Sequence, residues 1–133
     1  MPLNPGISAI VDSSLLIALL RGRDQVDTVL ERLSLTGPIA IVTLTYFELL
    51  QGARTQRAVE ASLDLLSRFQ SIPVDRDLSI RAGRLSANLR AAGVTIDTAD
   101  YFIAQAAMDH SVPLLTLNTR HFTLVPGLLV VNP

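Results

Sequence analysis

Four residues spread over most of the chain, Asp12, Glu48, Asp100 and Asn118, each fall where a predicted strand ends or just inside a predicted helix, in otherwise apolar surroundings. Ionised carboxylates gathered away from water repel one another and lose hydration, so acids placed repeatedly at element ends of an apolar domain point to a bound cation. A hard divalent cation held by oxygens keeps several waters, and a retained water is a potential nucleophile; the chemistry suggested is hydrolysis. The chain has no cysteine and two histidines, which leaves oxygen donors as the main ligand type. His110 and His121 read as surface residues, with His121 near enough to Asn118 in sequence to touch substrate.

Strands and helices must alternate to position these residues. A β-rich run, Ile7 to Val11, ends at Asp12-Ser13-Ser14, and Leu15, Leu16, Ile17, Leu19 and Leu20 then begin a helix stopped near Gly22. A second helix, about Gln25 to Leu35, carries Val26, Val29, Leu30 and Leu33 at helical spacing. The strand Ile39 to Val42 precedes a helix that Thr43 can cap and that contains Glu48. Helix four, Gln56 to Ser67, presents Val59, Leu63 and Leu66 on one face, and Phe69 to Pro73 reads as a strand. Asp75 can cap the long helix Arg76 to Ala92, with Leu78, Ala82, Leu85 and Leu89 as its buried stripe and Gly93 as its stop. Asp97 opens a helix through Asp109, Val112 to Thr116 is a strand, and Leu128 to Val131 is a last strand after the Pro126-Gly127 turn. Such alternation predicts an α/β fold, a parallel sheet with helices on both faces. In open parallel sheets the ligand crevice lies beyond the carboxyl ends of the strands, which is where Asp12 and Asn118 fall.

Each acid also has a plain structural role to set against the chemical one. A lone aspartate between strand and helix is by default an N-cap, and Ser13 and Ser14 could cap or could orient Asp12. Glu48 sits between Phe47 and Leu49-Leu50, whereas Glu31 and Glu60, the other two glutamates, lie on helices with polar faces. Asp97 and Asp100 are three apart at a helix start. Capping accounts for Asp97 more readily than for Asp100, which borders the apolar Tyr101-Phe102-Ile103 run.

With 133 residues and 49% hydrophobic content, the chain is expected to be one domain, 1–133, with apolar surface to spare for a second copy or a partner. It has no run of 18 apolar residues, and Met1-Pro2-Leu3-Asn4-Pro5-Gly6 lacks the basic and apolar regions of a signal peptide, so a cytoplasmic location away from the membrane is expected. A formal charge of −1 excludes a cationic glove for nucleic acid, and phosphate contacts would rest on local arginines. All eleven basic residues are arginine. Arg21, Arg23 and Arg120 are best placed to reach the crevice rim, with Arg54 and Arg57 following the helix of Glu48. No Gly-rich phosphate loop follows the first strand, and the chain has no lysine, which counts against a nucleotide-binding or receiver module.

Four stretches taken together carry a resemblance: Ile10-Val11-Asp12-Ser13-Ser14-Leu15-Leu16, Thr43-Leu44-Thr45-Tyr46-Phe47-Glu48-Leu49-Leu50-Gln51-Gly52-Ala53, Asp100-Tyr101-Phe102-Ile103-Ala104, and Leu115-Thr116-Leu117-Asn118-Thr119-Arg120-His121-Phe122. In this order and spacing they resemble the PIN-domain ribonucleases of the VapC toxin type. That resemblance implies a PIN-like three-layer α/β/α domain around a mainly parallel sheet of four or five strands. It implies an endoribonuclease in which Asp12, Glu48 and Asp100 hold Mg²⁺ or Mn²⁺, and Asn118 stands at the fourth, more variable acidic position. It also implies RNA as substrate, a VapB-like antitoxin as partner and a homodimer through the helices around Leu44 to Leu66. Asparagine at 118 departs from a four-acid set and lowers the negative charge there. The alternatives are a PIN nuclease of RNA processing without a toxin role and a non-catalytic Mg²⁺-binding α/β module.

Overall fold

In a computed structural model, residues 6–22 and 24–133 are described. The opening segment 1–5, Arg23 and the side chains of Asp24, Gln25 and Val26 lie outside the described residues. Five strands form one parallel sheet in the order β3-β2-β1-β4-β5. They are β1 (Ala9–Val11), β2 (Ile39–Val42), β3 (Gln70–Ile72), β4 (Leu114–Leu115) and β5 (Val130–Val131). The helices among the described residues are α1 (Ser13–Leu20), α2 (Asp24–Ser34), α3 (Leu44–Leu50), α4 (Gln56–Leu66), α5 (Arg76–Ala91), α6 (Thr98–Asp109) and α7 (Thr119–Phe122).

The strand period of two sorts the core into two layers. Ile10, Ala40, Val42, Ile72 and Leu114 point to one face, under Leu78, Ala82 and Leu89 of α5 and Ile103, Ala104 and Ala107 of α6. Ala9, Val11, Ile39, Ile41 and Leu115 point to the other, under Leu15 and Leu16 of α1, Leu30 of α2, Leu49 of α3 and Leu66 of α4. Strands buried on both sides read as unbroken apolar runs, which is how Ala9–Val11 and Ile39–Val42 appear. The three-layer α/β/α architecture expected from the sequence is therefore present.

The topology reverses at β1. The chain steps from β1 to β2 and β3 on one side, then returns past β1 to place β4 on the other, so β1 pairs in parallel with both β2 and β4. The register Val11↔Leu115 aligns the carboxyl ends of β1 and β4, and the Asp12 amide continues the ladder by donating to the Leu115 carbonyl at 3.1 Å. A crevice at this switch point is the expected ligand position in an open parallel sheet.

Several local expectations need correction. The buried face of α4 is Ser62, Leu65 and Leu66, whereas Leu63 is 43% exposed and Val59 only partly covered. Only the common Leu66 survives, because docking against α1 and α3 selects a face rotated from the one hydrophobicity suggests. Thr43 stands at the N-cap of α3 without capping it; its hydroxyl accepts from the Val74 amide at 3.0 Å, tying the exits of β2 and β3 together. The strands at residues 112–116 and 128–131 shrink to two residues each, β5 being an edge. His110, expected at the surface, is 6% exposed at the end of α6. The stripe Ile103, Ala106, Ala107 and His110 has helical spacing, so periodicity alone places it inside.

Both ends of α5 behave as read. Asp75 accepts from the Leu78 amide at 2.9 Å, and at the far end of α5 Gly93 takes φ +82 while Val94 and Gly93 amides donate to the Leu89 and Arg90 carbonyls. No helix among the described residues is long and apolar enough to cross a membrane. Two glycines with open space around their Cα atoms separate backbone from packing effects. Gly93→Ala is expected to lower the unfolding free energy by about 1 kcal/mol, because a Cβ disfavours the left-handed conformation. Gly83→Ala, inside α5, should raise it by roughly 0.5–1 kcal/mol. Urea unfolding of the two variants checks the opposite signs.

Candidate active site

Asp12 leaves β1 at the switch point and serves as N-cap of α1, so its structural and chemical roles coincide. Its Oδ1 accepts from the Ser14 hydroxyl at 2.6 Å and the Ser14 amide at 3.1 Å, and its Oδ2 accepts from the Thr116 hydroxyl at 2.7 Å. The Ser14 oxygen accepts in turn from the Leu117 amide at 3.0 Å, and the Thr116 oxygen from the Asn118 amide at 2.8 Å. Ser14 thus orients Asp12, which the sequence left open, and Thr116, which the sequence did not single out, is fully buried against it. Its signal was alignment with Asp12 one residue past the paired strand ends. The carboxyl is 4% exposed, and burial pushes its pKa above the ordinary value despite these hydrogen bonds.

Glu48 reaches the same space from the middle of α3. Phe47 beside it is exposed and Leu49 buried, leaving Glu48 half-buried between the two. Its pKa is raised, first by burial and then by the charges of Asp100, Asp12 and Asp97, with the Ser13 hydroxyl opposing. Its Oε1 is buried without a hydrogen-bond partner.

Asp100 comes from the first turn of α6, where its amide donates to the Asp97 carbonyl at 3.0 Å. It is 8% exposed, and its pKa is pushed up to about 6 by burial and by the charges of Asp12 and Asp97, against a lowering effect of His121. Its Oδ2 is buried without a hydrogen bond and lies 3.7 Å from His121 Nδ1. Asn118, at the N-cap of α7, makes no side-chain cap; its Nδ2 lies 3.1 Å from the same ring nitrogen. The cluster therefore includes His121, half-buried and facing Asp100, rather than leaving it at the surface. The i, i+3 spacing of Asn118 and His121 on one helical turn was the available signal. Asp97, read as a capping residue, occupies the N-cap of α6 without a side-chain capping bond.

A groove of about 320 Å³ runs past Glu48, lined also by Ile17, Leu20, Arg21, Leu49 and Ser62. Arg21 is on its rim; Arg120, two residues beyond Asn118, is exposed, as are Arg54 and Arg57.

Residues 9–128 match the PIN domain family model. The ribonuclease VapC19 of Mycobacterium tuberculosis is 35% identical over 124 residues, covering 90% of this chain and 95% of that protein. The tRNA(fMet)-specific endonuclease VapC of Salmonella typhimurium is 30% identical over 105 residues, covering 75% and 80%. The structure of VapBC2 from Rickettsia felis bound to a DNA fragment from their promoter matches with TM-score 0.84 at 26% identity, covering 96% of this chain and 98% of that one.

Crowding these carboxylates has a measurable cost. Asp100 ionises near pH 6 in the folded protein, against an ordinary value of 3.8. Between those values the folded state holds a proton the unfolded chain has released, so stability falls as pH rises through the window and stays lowered above it. Asp100→Asn is expected to raise the melting temperature in EDTA at pH 7.5 by on the order of 5 °C, with a smaller gain at pH 5. An unchanged melting temperature at pH 7.5 would contradict the electrostatic account.

Proposed function

The chain belongs to the PIN-domain family, among its VapC-type ribonucleases, and on that premise we propose that it is the metal-dependent endoribonuclease toxin of a VapBC-type toxin–antitoxin pair. The observation that carries the metal-dependent reading is the convergence of three carboxylates, from the exit of β1, from α3 and from α6, all with raised proton affinity. Glu48 Oε1 and Asp100 Oδ2, buried without donors, are the kind of oxygens a cation satisfies. The donor set is all carboxylate, which fits Mg²⁺ or Mn²⁺.

In this reading Asp12, Glu48 and Asp100 hold the ion, and Asn118 contributes a neutral amide at the fourth position. Such an ion supplies Lewis acidity toward the phosphodiester and makes a water more acidic. The chain's own groups do the rest. Ser14 and Thr116 fix the orientation of Asp12 so that its carboxylate does not rotate away. Glu48 or Asp100, through a carboxylate oxygen not held by the ion, would orient the attacking water and take up its proton during in-line attack on phosphorus. Asn118 can donate or accept at the substrate without adding repulsion against RNA phosphate. Arg21 and Arg120 supply phosphate contacts at the rim, in a molecule of net charge −1.

Further parts of the proposal are a single PIN-like domain over 1–133, a cytoplasmic location, a VapB-like antitoxin as partner, and a homodimer through α3 and α4. Phe47, 62% exposed, and Leu63, 43% exposed, support that dimer surface, since apolar side chains of this size are costly to leave in water. RNA is the substrate, as the ribonuclease relatives support.

Two outcomes are expected. Incubated with total RNA, the purified chain cleaves only with Mg²⁺ or Mn²⁺, and Asp12→Asn, Glu48→Gln and Asp100→Asn each slow cleavage by at least about 100-fold while circular dichroism stays native. Wild-type rates in Asp100→Asn would remove that residue from the reaction. Sedimentation at micromolar concentration should give a dimer that Phe47→Ser weakens; a monomer in the wild type would refute the interface.

A further inference from the structure

Beside the carboxylates, the groove that Glu48 shares is mostly aliphatic. Ile17 and Leu20 of α1, Leu49 of α3, and Ala58 and Ala61 of α4 line a space of about 320 Å³. Apolar walls with a few placed polar groups, at a volume of about 300 Å³ or more, are the usual makeup of a site for a small organic group. The short side chains at 58 and 61 leave the opening between α1 and α4.

The independent sign of a missing ligand is Ser62. It is 3% exposed and lines this groove from α4. Serines at the end of α4 and in α5 return their hydroxyls to their own helices, Ser67 to the Asp64 carbonyl at 2.6 Å and Ser79 to the Asp75 carbonyl at 2.7 Å. The Ser62 hydroxyl makes no such bond and has no hydrogen-bond partner among the described residues. A buried hydroxyl in that condition keeps one donor and two acceptor positions for a ligand.

The surroundings select the occupant. Glu48 belongs both to the groove and to the carboxylate cluster, so the groove adjoins the phosphodiester that the ion would polarise. Arg21 on the rim is a cation suited to a neighbouring phosphate. An unpaired base has apolar faces and a polar edge, which suit aliphatic walls with a free hydroxyl between them. We propose that this groove is a nucleobase subsite: an unpaired base next to the scissile phosphate inserts between α1 and α4, Arg21 holds the phosphate on its outer side, and the Ser62 hydroxyl reads the base edge. An aliphatic slot then supplies base recognition in a chain with 5% aromatic residues. The subsite rests on the proposed function in taking RNA as substrate and the carboxylates as the place of cleavage.

Methyl resonances of Ala58 and Ala61 in the full chain with Mg²⁺, followed as nucleoside 5′-monophosphates or ribose 5-phosphate are added, test this. The nucleotides should shift both resonances and ribose 5-phosphate should leave them in place, with Ala82, under the opposite face of the sheet, as internal control. Ala61→Leu, which fills the groove from an exposed position on α4, should raise KM for RNA about tenfold with kcat within about threefold. Ser62→Ala should flatten the base preference at one position beside the cut, read from sequenced cleavage ends. Methyl shifts absent or equal with ribose 5-phosphate, KM unmoved by Ala61→Leu, or a base preference beside the cut that Ser62→Ala leaves intact would each overturn the inference; a groove that seats only a partner protein gives the first two results. Failure of the wild type to cleave RNA would instead sink the proposed function, and the methyl shifts are read without cleavage.

Discussion

Like charges held together away from water set the terms for this molecule. Asp12, Glu48 and Asp100 each bind protons more tightly than free carboxylates, because burial opposes ionisation in all three and neighbouring aspartate charges add to it at Glu48 and Asp100. A fold that keeps such an arrangement must offset its cost through packing elsewhere, and the sheet supplies this with two apolar layers whose central side chains have no exposed surface. The site is thus a local concentration of unfavourable electrostatics carried by a well-packed scaffold, the usual relation between a functional centre and its frame.

Precision comes from the strand pair at the switch point. Two parallel strands in register bring Asp12 and Thr116 side by side, and their hydroxyl and carboxylate join across a separation of 104 residues. Ser14 closes the clasp from the other side, accepting from the Leu117 amide while donating to Asp12. These bonds hold one carboxylate with both oxygens engaged, whereas Glu48 and Asp100 each retain an oxygen with no donor. Within one cluster the fold therefore makes one fixed acid and two with capacity left for a ligand or a proton.

RNA binding has less support from bulk charge than from place. The chain is nearly neutral overall, so attraction to a polyanion must be local and strongly dependent on salt. Arg21 borders the groove that passes Glu48, and Arg120, exposed, follows Asn118 by two residues in the chain. Guanidinium groups at the rim can position a phosphate backbone, while aromatic stacking has little material with six Phe and Tyr residues in the chain.

The sequence by itself determined the alternation of apolar strands and amphipathic helices, hence the parallel sheet, and it marked Asp12 and Asn118 at strand ends where open α/β sheets bind ligands, with Glu48 and Asp100 on helices. Those features are local or periodic, so they are written in spacing. Tertiary structure alone decided which donors meet. Thr116 looked like a strand residue until register set it against Asp12, and Asp97 looked like a cap until its carboxylate turned out to make no capping bond. His121 became part of the cluster only because the fold sets its Nδ1 3.7 Å from Asp100 Oδ2, while His110, at the C-cap of α6, is buried. The buried face of α4 also differed from the one hydrophobicity suggests, because docking rather than periodicity chooses among neighbouring apolar stripes. Contacts of this kind join residues far apart in the chain, and their energies depend on burial and distance, neither of which a linear pattern records.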